Sequence, residues 1–262
     1  MRMPGPAGPG GQWPDESWLG MTDTGSTTPT VVLVHGAFAD GGSWAGVTEL
    51  LLADGVKVLV PSVGLRGIAV DSAYIASVFA QIEGPVLAVG HSYGGAVISN
   101  AATSAGNVVG LVFVSAFAPD ENEKLSEVEG TSRDSALGPA LVQRTYPTAD
   151  GSTAVELYVD EARFHEVFGG DLPETQSAVL GASQRPVAAA AFDEPNGAPA
   201  WMRLPSWAAV STGDKAAGSD VTLMMAKRAN AQITELDGSH LIMVSQPRAV
   251  TDVILTALKA VS

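Results

Sequence analysis

The chain has 262 residues, of which 46% are hydrophobic and 16% are charged, so it can bury the core of one large α/β domain with an inserted segment. Its formal charge of −14 argues against binding to nucleic acids or to anionic membranes, because both require a basic surface. The lack of cysteine excludes disulfides, thiol catalysis and thiolate metal sites.

The first residues differ in composition from the rest of the chain. Met1 to Gly11 is rich in proline and glycine and has no apolar stretch typical of a secretory signal. No apolar run approaches the ~20 residues of a membrane span. We expect a flexible tail over residues 1–28 and a cytoplasmic location. The preference for Ala, Gly and Val over lysine is typical of a GC-rich bacterial gene.

Strand and helix patterns alternate from residue 29 to residue 116, which predicts a mostly parallel sheet flanked by helices. Asp71 is expected to cap the second helix. Trp44, Val47 and Leu51 should face the sheet at helical spacing. The predicted elements are a strand at Thr30–Val34, a helix from Ser43 to Leu52, a strand at Lys57–Val60, a helix from Asp71 to Ile82, a strand ending at Gly90, a helix to about Ala105 and a strand at Val108–Val114.

The alternation stops over residues 117–203, which are richer in charge, glycine and proline and contain no clear buried strand. Short amphipathic stretches at Ala154–Phe168 and Glu174–Leu180 predict a helical cap, or lid, inserted into the core. The α/β pattern resumes over residues 204–262, with strands at Ser206–Ser211 and Gln232–Leu236. The domain prediction is thus a core of residues 29–116 and 204–262 with a cap of residues 117–203.

One turn carries a nucleophile motif. Gly90-His91-Ser92-Tyr93-Gly94 has the Gly-x-Ser-x-Gly pattern and joins a buried strand to a helix. In that context the turn is tight, and it holds the serine hydroxyl clear of the backbone. Such a hydroxyl needs a base, and His240 on a loop after a strand is the best candidate.

Further motifs follow other strands. His35-Gly36-Ala37-Phe38 ends the first strand, Asp214 follows a later one, and Gly238-Ser239-His240 follows the last. With Ser92, the chain order is serine, acid, histidine. From Thr30 to Ser262 the sequence therefore resembles the α/β-hydrolase superfamily, in particular its small serine esterase-like branch related to plant methylesterases and hydroxynitrile lyases. The resemblance implies an α/β-hydrolase fold: a mostly parallel twisted sheet flanked by helices, with a helical cap insertion.

The resemblance also implies roles for individual residues. Ser92 is the nucleophile, His240 the base and Asp214 the acid of a catalytic triad. Asp220, which has the position of a helix N-cap, and Asp120, after the Val108–Val114 strand, stay open as alternative acids.

Two backbone N–H groups are expected to form the oxyanion hole. By resemblance they belong to Tyr93 and Ala37, with Phe38 as the alternative to Ala37. His35 would support this loop, His91 would pack or form a hydrogen bond beside the serine, and His165 would lie in the cap.

Some residues depart from related families. Leu241 follows His240 where hydroxynitrile lyases have lysine, and Ala37-Phe38 stands where they have threonine, so cyanohydrin cleavage is disfavoured. Ser92 excludes the aspartate chemistry of haloalkane dehalogenases and epoxide hydrolases. The sequence has no phosphate-binding loop of the Walker type and no metal-binding spacing, so we expect no cofactor and no metal.

The sequence thus predicts a serine carboxylesterase that forms an acyl-enzyme with a small-molecule ester of small to medium apolar groups. Hydrolysis of lactones, thioesters or carbon–carbon bonds, and cofactor-free perhydrolysis, are alternatives within the same chemistry. A ligand receptor on the same scaffold is the non-catalytic alternative. The oligomeric state stays open, with a homodimer as one option.

Overall fold

A computed structural model describes residues 28–262 of the chain. The tail expected at residues 1–28 therefore lies, except for Thr28, outside the described residues. The strands are β1 (Thr30–Val34), β2 (Val58–Leu59), β3 (Val86–His91), β4 (Val108–Val114), β5 (Leu141–Pro147), β6 (Thr153–Val159), β7 (Val187–Ala188), β8 (Ser206–Ser211) and β9 (Gln232–Leu236).

The α-helices are α1 (Ala45–Ala53), α2 (Ile68–Ala80), α3 (Tyr93–Ala101), α4 (Leu125–Glu129), α5 (Glu161–Phe168), α6 (Glu174–Ala182), α7 (Ala189–Asp193), α8 (Ser219–Arg228), α9 (Ile242–Ser245) and α10 (Pro247–Val261). Short 3₁₀ helices lie at Gly41–Trp44, Gly138–Ala140 and Ala200–Met202. None of the helices in residues 28–262 is long and apolar enough to cross a bilayer.

The central sheet has six strands in the order β2-β1-β3-β4-β8-β9, and every neighbouring pair is parallel. This arrangement confirms the predicted parallel sheet. Every residue of β3 is buried, because helices cover both faces of the sheet. Trp44, Val47 and Leu51 are fully buried, as their helical spacing predicts. The carboxyl ends of β1, β3 and β8 meet at one edge of the sheet, where the candidate active site lies.

The prediction that Asp71 caps α2 is wrong. The helix begins three residues earlier, at Ile68, so Asp71 lies within its first turn. The carboxylate of Glu194 instead accepts hydrogen bonds from the first N–H groups of the helix, those of Ile68 (2.6 Å) and Ala69 (3.1 Å). Asp71 is instead buried, with only 1% of its surface exposed.

The segment of residues 117–203, which we call the cap, contains strands as well as helices. Strands β5, β6 and β7 form an antiparallel sheet beside helices α4 to α7. The amphipathic stretch Ala154–Phe168 forms strand β6 followed by helix α5. Val155, Leu157 and Val159 alternate with other side chains, which is the period of a strand. Asp160 ends the strand pattern, because its carboxylate accepts a hydrogen bond from the Ala162 N–H (3.0 Å) and caps α5.

Candidate active site

Ser92 lies in a strained turn between β3 and α3. Its φ of +52° falls in the left-handed region that non-glycine residues rarely adopt. The start of α3 approaches the end of β1 so closely that a Cβ on Gly94 would lie 2.6 Å from the carbonyl oxygen of Val34. The turn therefore needs glycine at this position. Ser92 lies at the N-cap position of α3, directly before the helix begins at Tyr93.

His240 and Asp214 form a buried pair at the ends of β9 and β8. The Nδ1–H of His240 donates to Oδ2 of Asp214 at 2.8 Å, and both side chains are at most 1% exposed. The other carboxylate oxygen accepts from the N–H groups of Ala216 (2.9 Å) and Ala217 (3.0 Å). In the neutral imidazole, donation from Nδ1 leaves Nε2 as the acceptor nitrogen. Among the described residues, Nε2 has no hydrogen-bond partner although it is buried.

The alternative acids do not contact the histidine. Asp220 accepts hydrogen bonds from the Ser132 hydroxyl (2.5 Å) and from the Arg133 N–H (2.9 Å). Asp120 accepts from the N–H of Glu121 at 2.8 Å. The structure therefore brings Asp214, of the three candidate acids, together with His240.

His91 links the serine turn to the histidine loop. Its Nε2–H donates to the backbone carbonyl of His240 at 3.1 Å, and the two rings lie 4.6 Å apart between centroids. Burial, together with the nearby His240, holds the pKa of His91 well below 6.5, so the ring is neutral. The residue directly before Ser92 thus contacts both the ring and the backbone of His240, and keeps the two segments adjacent.

The loop after β1 packs against the serine turn. A Cβ on Gly36 would lie 2.6 Å from the Cβ of Ser92. His35 braces this loop, since its Nδ1–H donates to the Gly36 carbonyl (2.9 Å) while its Nε2 accepts from the Val63 N–H (3.0 Å). Burial lowers the pKa of His35. The N–H of Phe38 donates to the carbonyl of Arg185 at 3.1 Å, so this N–H is already engaged.

Tyr93, the first residue of α3, is anchored by its side chain. Its hydroxyl donates to Oδ2 of Asp71 at 2.8 Å, and the same oxygen accepts from the Arg66 N–H at 3.1 Å. Burial raises the pKa of both Tyr93 and Asp71. Sequence reasoning missed this role of Asp71. Asp71 lies three residues after Ile68 and four before Ile75, and this helical spacing indicates that it shares their buried face of α2.

The cap covers the site. The ring of Phe168, at the end of α5, packs edge-on against His240 (4.8 Å) and against Phe38 (5.6 Å). Ser92 is only 6% exposed beneath it. His165 lies in the cap as expected and contacts Ser177 (Nδ1 to Oγ, 3.0 Å), which ties α5 to α6. Within residues 28–262 no cluster of three or more His, Asp or Glu residues is arranged to hold a metal.

Comparisons with known proteins agree with this architecture. A family model described as the alpha/beta hydrolase family matches residues 31–253. A pyrethroid hydrolase of Sphingobium wenxiniae is 27% identical over 194 residues, which are 64% of this chain and 69% of that protein. Polyneuridine aldehyde esterase superposes with a TM-score of 0.74 at 21% identity, over 88% of this chain and 99% of that one. Tomato methylketone synthase I, complexed with 2-tridecanone, superposes with a TM-score of 0.74 at 18% identity, over 90% of this chain and all (100%) of that one.

Proposed function

The chain belongs to the α/β-hydrolase family, and we propose that it is a serine carboxylesterase with Ser92 as nucleophile, His240 as base and Asp214 as acid. One observation carries the proposal. Asp214 binds Nδ1 of His240, and this leaves a buried, unpartnered Nε2 on a loop that His91 joins to the strained Ser92 turn. A buried hydrogen-bond acceptor without a donor costs free energy. The hydroxyl of a serine or of a leaving alcohol would be a suitable partner for Nε2 of His240.

The reaction follows from this arrangement. Oγ of Ser92 attacks the ester carbonyl carbon while its proton moves to Nε2 of His240. The imidazolium gives that proton to the departing alcohol, which leaves an acyl group on Ser92. Water then attacks the acyl carbon, gives its proton to Nε2 and releases the acid as Ser92 recovers the proton. Asp214 stays ionised throughout and stabilises the imidazolium.

The oxyanion donors in this proposal are the N–H groups of Ala37 and Tyr93. The Arg185 carbonyl engages the N–H of Phe38, which favours Ala37 on this loop. Tyr93 begins α3, where the first N–H groups have no partner within the helix. Removing one such donor typically costs ~10² to 10³ in turnover.

The cap supports an apolar substrate of small to medium size. A cavity of about 330 Å³ lies among cap residues that include Leu137, Leu157 and Phe192. Phe192 packs against the ring of Tyr93, the residue that follows Ser92, at 6.3 Å between ring centroids. Glu129 and Asp193 also line this cavity, and none of its lining residues is a proposed catalytic residue. The names of the pyrethroid hydrolase and of polyneuridine aldehyde esterase fit the same class of reaction.

The test is hydrolysis of p-nitrophenyl acetate and butyrate by the wild type and by Ser92→Ala. The variant should lose at least about 10³-fold in kcat. Ser99→Ala is the matched control, because Ser99 lies on the same helix, is fully buried and has an Oγ without a hydrogen-bond partner among the described residues. Undiminished activity of Ser92→Ala would remove Ser92 from the mechanism. A parallel panel of lactones and thioesters would show whether simple esters are the preferred substrates.

A further inference from the structure

The loop that carries His240 is hydrogen-bonded to the end of cap helix α5. The Leu241 N–H donates to the carbonyl oxygen of Phe168 at 3.1 Å, and Oγ of Ser239 lies 3.1 Å from the same oxygen. The residues immediately before and after the histidine therefore contact the same backbone atom of the cap. The ring of Phe168 packs on the imidazole itself.

Asp171, three residues further along the cap, contacts the same loop. Its carboxylate accepts a hydrogen bond from the Ser239 hydroxyl. Burial would raise the pKa of Asp171, but hydrogen bonds from Ser239 and Ser245 outweigh it and lower the pKa, so the group is ionised. The Asp171 carboxylate thus holds the residue directly before the histidine.

We propose that Asp171 and Ser239 are positioning residues, through which the cap sets the orientation of His240 for proton transfer from Ser92. The inference rests on the proposed serine-esterase function. Asp214 holds Nδ1 by a single hydrogen bond, about which the imidazole can still tilt. The contacts from Asp171 and Phe168 to the loop remove that freedom. Because proton transfer requires a short, aligned contact, a displacement of about 1 Å costs on the order of 10²-fold in rate.

The experiment measures kcat and KM for p-nitrophenyl butyrate with Ser239→Ala, Ser239→Thr, Asp171→Ala and Asp171→Asn. Both alanine variants should lose about 10- to 100-fold in kcat with KM within about twofold of the wild type. Ser239→Thr keeps the hydroxyl and should recover most of kcat. Asp171→Asn keeps an acceptor for Ser239 and should lose less than Asp171→Ala.

Ser152→Ala is the matched control. Ser152 forms the same kind of hydroxyl–carboxylate pair with Asp150 (2.8 Å), but in the exposed turn between β5 and β6. Its kcat should equal that of the wild type. Thermal denaturation of every variant checks folding, and loss of activity together with loss of a cooperative transition would overturn the positioning role.

Two other results would also overturn the positioning role of Asp171 and Ser239. One is a kcat within about twofold of the wild type in both alanine variants, and the other is a Ser239→Thr variant no better than Ser239→Ala. The proposed function fails separately, through retained activity in Ser92→Ala. If Ser92→Ala is inactive while the Asp171 and Ser239 variants are fully active, only the positioning inference is wrong.

Discussion

Replacing Gly94 by alanine tests how the packing of α3 against β1 supports the serine turn. The new Cβ would lie 2.6 Å from the carbonyl oxygen of Val34 and 2.8 Å from that of His35. Both neighbours are backbone atoms, so neither can rotate away. To bring both contacts to an ordinary distance near 3.4 Å, the helix start must move by roughly 0.8 Å from the end of β1.

Displacement of the start of α3 should change both the free energy of unfolding and kcat. Overpacking of this kind costs about 1 to 3 kcal/mol, partly offset by the ~1 kcal/mol that alanine gains over glycine in a helix. The larger effect should fall on catalysis. Ser92 and Tyr93 would move with the helix while Ala37 stays with β1, so the two proposed oxyanion donors would separate. We expect kcat to fall about 100-fold with KM little changed, as for loss of one donor.

The assay is p-nitrophenyl acetate hydrolysis together with thermal denaturation. Gly106→Ala is the control, because no heavy atom lies within 4 Å of the added Cβ and Gly106 has no positive φ. It should keep full activity and a free energy of unfolding within about 0.5 kcal/mol of the wild type. A Gly94→Ala variant with wild-type kcat would refute the packing argument.

Three further predictions concern buried polar groups. Asp214→Asn should lower kcat by about 10⁴-fold, because the amide favours the wrong tautomer of His240; steady-state kinetics would check it, and a loss below tenfold would contradict the assignment of the acid. Tyr93→Phe should lower the free energy of unfolding by about 1.5 to 3 kcal/mol in chemical denaturation, because the Asp71 carboxylate loses a buried donor; an unchanged midpoint would show that the bond contributes nothing. The pKa of His91 lies well below 6.5 when folded, so below that pH the unfolded chain takes up a proton that the folded protein does not. Stability should therefore fall as pH drops from 6.5, by up to about 1.4 kcal/mol per pH unit, and His91→Gln should show a shallower fall in thermal denaturation between pH 7.5 and 5.5.

Local patterns predicted the sheet and the position of the serine turn. The run Val86–Gly90, the Gly-x-Ser-x-Gly motif and the helix after it lie next to one another in sequence, and their geometry depends mostly on neighbours within a few residues. The order of Asp214 and His240 after later strands predicted their meeting, because parallel strands place their carboxyl ends at the same edge.

Contacts between distant segments could not be predicted in this way. Phe168 and Asp171 contact Ser239 across 71 and 68 residues of sequence, and no local pattern connects these positions. Asp71 was misplaced because an acidic residue near a helix start is more often a cap than a buried partner. The cap strands were missed because the alternation of β6 runs directly into the helical pattern of α5.

The proposed mechanism requires Ser92 to be a nucleophile that His240 activates. Labelling with a fluorophosphonate, followed by mass spectrometry of the digested protein, tests it most directly. We expect one adduct, on the peptide that contains Ser92, with labelling lost in Ser92→Ala and strongly slowed in His240→Ala. An adduct on another residue, or equal labelling of Ser92→Ala and wild type, would contradict it.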